Sequence, residues 1–216
     1  MKKTIADVMN IPNGDQPMRF TACFVSMLMR AEGMASSAKL HQALYDLYSA
    51  VTGFSFLQAD LSSSDYSQKY WNQTSNVLLR EFDWYIGFAM DYAGYESEEL
   101  IFPSEQKKNL TFAKIKASID QDIPVLALFG RVYQWVLVTG YDENATLYGL
   151  DGAQSWGEPD AASAGYDENG LFIMPDWYEK AGHAFVLGAK KEPTVTMRDV
   201  CKRGTRIMEY GKEIKL

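Results

Sequence analysis

Residues 124–152, PVLALFGRVYQWVLVTGYDENATLYGLDG, decide how this chain is read. Val125–Phe129 is an apolar run introduced by Pro124, whose missing N–H does least harm at a strand start. Two further runs, VYQWVLVTGY and ATLYGLDG, flank the turn residues Asp142-Glu143-Asn144, so two adjacent strands are expected there. Gln134 enters the first of them and Asp151 leaves the second.

Working outward, LTFAKIKASIDQD at 110–122 predicts a short amphipathic helix with Thr111 as its N-cap and a turn at Gln121-Asp122. Downstream, GLFIMP and HAFVLGAK predict more strands, separated by Asp, Asn, Gly and Pro. The DEN triplet at 142–144 recurs at 167–169, which is ordinary hairpin chemistry. Upstream, IPNGDQPM is turn-rich, and TACFVSMLMRAEG predicts a helix from about Thr21 to Gly33. KLHQALYDLYSAV predicts a second helix, ended at Thr52-Gly53. A third occupies part of Trp71–Tyr92, with Gly87 as a break, and VTMRDVCKRGTRIMEYG makes a last helix capped at Gly211. Helices come first and a mostly antiparallel sheet second, an α+β pattern.

Composition bounds the rest. The 216 residues fit one domain, and 47% hydrophobic residues exclude a disordered chain. A net charge of −7 argues against nucleic acid as the main partner. The residues from Gly188 onward carry eight Lys/Arg against four Asp/Glu, a docking tail or a solvated basic helix. Two cysteines, Cys23 and Cys201, are too few for a secreted disulfide scaffold and suit a reducing compartment. The first 16 residues lack the apolar stretch of a signal peptide, and no apolar run approaches the ~20 residues that cross a bilayer. A soluble cytoplasmic protein is expected. No cofactor is implied: there is no Gly-rich phosphate loop, no zinc spacing, and Asp120, Asp122, Asp142, Glu143 and Asp151 lack the spacing of a calcium loop.

Cys23 carries the chemistry. A thiol at a helix N-terminus feels the positive end of the macrodipole and becomes a better nucleophile. Such a thiol needs a base within hydrogen-bond reach and a third group to orient that base. Gln134 and Asp151, on neighbouring strands, stand in those places, and Gln16 could donate an N–H to an oxyanion. Taken alone, Cys23 reads more readily as a small buried hydrophobe on an apolar helix face than as a nucleophile. His41 lies mid-helix and reads as part of a solvated face; His183 opens a strand, either as a surface group or as one that reaches toward Cys23. Trp71, Phe82, Trp84, Tyr85 and Phe88, with Met27, Met29, Met34 and Met90, read as core or groove wall. The loop 151–170 carries Trp156 and serves as a groove wall or a plain connector.

The block 124–152, with the late GHAFVLGAK, resembles bacteriocin-processing-type cysteine peptidases of the papain-like superfamily, and also the N-terminal domain of butirosin-biosynthesis protein H, an acyltransferase relative. The usual pattern there is His-Trp-Val-hydrophobic-Val-x-Gly-Tyr-Asp; here it is QWVLVTGYD. The resemblance covers roughly residues 12–190 and is closest over 111–152. It implies a single papain-like domain over 1–216: a helical part at about 12–120, a sheet part at about 121–190 and a basic helix at about 194–211. The cleft would lie between helical and sheet halves with Cys23 at its floor. The resemblance also implies roles: Cys23 as nucleophile, position 134 as general base, Asp151 as orienting acid, Gln16 as oxyanion donor. Gln16 stands seven residues before Cys23 where six is usual, Phe24-Val25 replaces the usual Gly-Pro, and the base is a glutamine. An amide has no titratable proton near neutral pH, and general acid–base help is worth about 10²–10⁴-fold. Three functions therefore compete: a catalytically impaired relative that binds a peptide or acyl-carrier-like ligand, a working thiol hydrolase or acyltransferase that uses Cys23, and a non-enzymatic interaction protein.

Overall fold

A computed structural model describes residues 2–9, 19–56, 85–101, 107–129, 134–150 and 165–213. In chain order the elements are β1 (Lys3–Thr4), α1 (Arg19–Ala31), α2 (Ala38–Thr52), a 3₁₀ turn (Phe54–Phe56), α3 (Tyr85–Tyr92), β2 (Tyr95–Ile101), α4 (Lys108–Asp120), β3 (Val125–Phe129), β4 (Gln134–Tyr141), β5 (Leu147–Leu150), β6 (Phe172–Met174), α5 (Trp177–Lys180), β7 (Ala181–Lys190) and α6 (Met197–Glu213). The class is α+β. The seven-stranded sheet has the order β2-β7-β3-β4-β5-β6, with β1 added to β4. The pairs β3–β4, β3–β7, β4–β5, β5–β6 and β1–β4 are antiparallel.

By compactness the chain forms two units, one of residues 1–42 and 97–188, the other of 43–96 and 189–216. In the first unit the sheet has helices on both faces. Alternation along a strand sends successive side chains to opposite sides. Val125, Ala127, Val136, Val138, Ala184 and Val186 face one way and pack with Ile115 and Ile119 of α4. The intervening residues face the other way, where Phe20 of α1 meets the Trp135 ring edge-on at 5.0 Å and Trp135 meets Phe185 at 5.7 Å. β3 and β4 are in register from Val125↔Val138 to Phe129↔Gln134, and β4 pairs with β5, the two adjacent strands expected on either side of Asp142-Glu143-Asn144.

The helix ends follow local chemistry. α1 closes at Gly33, whose φ of +61° suits a residue without Cβ. Gly33 N–H bonds the Arg30 carbonyl at 3.1 Å and Met34 N–H the Met29 carbonyl at 2.8 Å, a Schellman closure. α4 closes in the same way on Asp122, and Ser37 caps α2 by accepting the Leu40 N–H at 3.3 Å. Thr196 and Asp199 box the start of α6: Thr196 N–H bonds Asp199 Oδ2 at 3.0 Å, and Asp199 N–H bonds Thr196 Oγ1 at 3.4 Å.

Several expectations are corrected. Thr111 is no N-cap: it is buried inside α4, which starts after Lys107. Gly87 does not break α3 and Gly211 does not end α6, since both helices run through them. An isolated helical glycine costs only about 1 kcal/mol, which packing overrides. The strand β2 falls in the stretch read as helical. Met34 is exposed, whereas Met27, Met29 and Met90 are buried as core.

In the second unit, α6 buries Val200, Gly204 and Ile207. A Cβ on Gly204 would come within 2.5 Å of Phe56, so the close approach of helix and ring depends on glycine there. The Arg203 guanidinium lies 4.9 Å from the Phe88 ring centre.

Candidate functional site

The thiol helix and the glutamine-bearing strand are neighbours. α1 packs on β4 and β3, and Cys23 Sγ lies 3.9 Å from the backbone carbonyl of Trp135, the residue after Gln134. Gln134 is the first residue of β4. Its side chain, Asp151 and Gln16 lie outside the described residues, as do Trp71, Phe82, Trp84 and Trp156.

Two features of the thiol differ from the setting expected of it. Cys23 is the fifth residue of α1, beyond the first turn in which the pull of the helix dipole is concentrated. It is also 1% exposed, on a helix whose Phe20 and Phe24 rings stack on each other at 5.7 Å. The reason lies in the sequence: RFTACFVSMLM is apolar on almost every side, and all residues from Phe20 to Met29 are buried.

His183 stands on the Cys23 side of the sheet. Leu128 pairs with both Trp135 and His183, so these two side chains share a face two strand spacings apart, about 10 Å. The imidazole is engaged elsewhere. Its Nδ1 lies 2.6 Å from Glu99 Oε1, and the ring stacks on Phe185 at 6.4 Å. The carboxylate thus sets the ring's orientation.

His41 overturns the expectation of a solvated helical face, because it is 0% exposed. Its Nε2 lies 2.9 Å from Ser26 Oγ, and the Ser26 hydroxyl donates to the Ala22 carbonyl at 3.0 Å. Burial lowers the His41 pKa below the ordinary imidazole value; a hydrogen bond to the Ala22 carbonyl works against this, and the Arg19 charge works with it. The signal was present in the spacing: His41 shares a helical stripe with Tyr45, Tyr48, Ser49 and Thr52, at i, i+4, i+7, i+8 and i+11, all of them buried, as is Val51 beside them. Glu99 had no such signal, since β2 reads YESEELI and three glutamates mask its alternation.

Among the described residues no group of three or more His, Cys, Asp or Glu is placed to hold a metal ion. Cys23 and Cys201 are both free thiols, the first buried and the second exposed. No helix among the described residues is long and apolar enough to cross a membrane. The chain matches no family model, no curated protein and no solved structure.

Proposed function

We propose that this chain is a cysteine peptidase-like protein of papain-like architecture, catalytically impaired by glutamine at the histidine position, that binds a peptide or acyl group beside Cys23. The observation that carries the reading is the seating of the thiol-bearing helix on the strand that Gln134 opens, with Sγ 3.9 Å from the carbonyl of the next residue. The chain order supports it too: a cysteine on an early helix, then the 134 position and Asp151 at the two ends of a late strand pair. Binding is favoured over turnover because the amide of Gln134 cannot accept and return a proton. Two free cysteines fit a reducing compartment such as the cytoplasm.

The test is to install the missing base. Gln134→His, assayed with peptidyl and acyl nitrophenyl esters, gains about 10²–10⁴-fold in Cys23-dependent turnover. The gain disappears when Cys23→Ala is added. A parent chain that already turns over these esters as fast as Gln134→His would sink the reading, and so would a variant that stays inert.

A further inference from the structure

α1 meets the sheet on one side and the first turn of α2 on another, and the second contact is polar. Ala22 and Ser26, four residues apart, lie on one stripe of α1 with Arg19. His41 sits on that stripe, 2.9 Å from Ser26 Oγ. The Ser26 hydroxyl also lies 3.0 Å from the Ala22 carbonyl, so ring, hydroxyl and carbonyl form one buried hydrogen-bonded group. Cys23 lies one position further round the helix, about 100° from Ala22 and on the side of the sheet.

We propose that His41 is the latch of a proton-driven switch: protonation of its buried imidazole drives the first turn of α2 off the Ala22–Ser26 stripe, loosens α1 and opens Cys23 to solvent. A second proton on the ring makes a cation in a site with 0% exposure. The charge acting on it from α1 is that of Arg19, which is repulsive. The other charged side chain of α1, Arg30, donates to the carbonyl of Asp122 and pairs with its carboxylate. On α2 itself, Lys39 and Asp46 are exposed. Burial and Arg19 together outweigh the attraction of the Ala22 carbonyl, so the closed state binds the proton less readily than an opened state does. Falling pH therefore shifts the population toward the opened state, by an amount set by that difference in proton affinity. The switch concerns access to α1 and stands whether or not Cys23 meets a ligand.

The experiment compares two thiols in the same full-length chain. Labelling by 4,4′-dithiodipyridine is followed from pH 7.5 to 5, and peptide mass spectrometry separates Cys23 from the exposed Cys201, which reports the intrinsic change in reactivity. The expected result is a Cys23-to-Cys201 rate ratio that rises below about pH 6.5, by up to about tenfold per pH unit. In His41→Gln, which keeps an amide N–H for Ser26 and cannot be protonated, the ratio is flat. A flat ratio in the parent overturns the proposal, as does a rise that persists in the variant. Should the variant not fold, proton NMR of the unaltered chain decides, because only His41 and His183 give imidazole signals. A His41 midpoint below the ordinary imidazole value, at the pH where the rise in Cys23 labelling levels off, supports the latch; a midpoint at or above that value overturns it.

Discussion

Ala145 and Gly170 occupy the same place in two copies of one turn. In each copy an aspartate Oδ1 accepts two backbone N–H groups: Asp142 those of Asn144 and Thr146, both at 2.9 Å, and Asp167 those of Asn169 at 2.9 Å and Leu171 at 2.8 Å. The fourth residue turns left-handed, with φ of 60° at Ala145 and 74° at Gly170. The repeated DEN triplet was legible as turn chemistry for this reason: the side chain that closes the turn is written in the sequence. At Ala145 the Cβ makes the left-handed conformation cost roughly 1–2 kcal/mol. Ala145→Gly removes that strain and returns part of it as extra freedom of the unfolded chain, roughly 0.4–1 kcal/mol. The expected outcome is a net stabilisation of roughly 0.5–1 kcal/mol in urea unfolding. Gly170→Ala is the mirror case and destabilises by a similar amount; nothing lies within 4 Å of a Cβ built there, so the cost is purely backbone. A parent midpoint above that of Ala145→Gly contradicts the argument.

At the scale of elements, a single carboxylate fastens the chain between β7 and α6. Asp91, at the end of α3, accepts the N–H groups of Thr194 and Val195 at 2.7 Å each and the Thr194 hydroxyl at 3.0 Å, and it pairs with Lys191. Burial opposes the charged form, yet the bonds from Lys191, Val195 and Thr194 win and bring its pKa down to about 2. Asp91→Asn keeps the shape and removes the charge, so a loss of roughly 2 kcal/mol in unfolding free energy at pH 7 is expected. A loss too small to measure shows that the backbone donors are satisfied without the charge. The elements themselves were legible where one signal dominated. β3 to β7 announced themselves by short apolar runs between turn residues, and Gly33 marked the end of α1. β2 did not, because its order places it at the sheet's edge, where Glu96, Glu98 and Glu99 are tolerated and break the apolar alternation. Thr111 has a capping side chain, but the helix begins earlier, so cap preference lost to position.

For the whole molecule, the sequence showed which helix and strand meet at the candidate site, and left the burial of single side chains open. Cys23 lies on a helix apolar on almost every side, so its burial depends on what packs there, whereas His41 had a signal in the helical spacing that its residue type masks. That burial should appear in the acid response. The His41 pKa is lowered in the fold, so the unfolded chain binds its proton first; this contribution is complete above the ordinary value of 6.5 and is lost as pH falls through the folded value. The pKa of Asp91 is brought from 3.8 to about 2, so its contribution is complete above 3.8 and is lost as pH falls toward 2, an amount of roughly 2 kcal/mol. The Asp120 pKa is also down at about 2, through bonds from Lys116 and Tyr141, but this carboxylate is solvent-exposed and screening leaves it a small share. Unfolding free energy should therefore descend twice between pH 8 and 2.5, first below 6.5 and again below 4. One effect opposes the first descent: the net charge of −7 shrinks toward the isoelectric point of about 4.9, and self-repulsion shrinks with it. The decisive observable is accordingly the difference between parent and variant at each pH, in which that common effect cancels nearly completely. His41→Gln should remove the upper descent alone, and Asp91→Asn should reduce the lower one alone, the remainder belonging to Asp142, Asp167 and the exposed carboxylates, whose pKa values are also lowered by hydrogen bonds. If His41→Gln keeps the upper descent, the buried imidazole is not its source, and the folded chain admits that proton without cost.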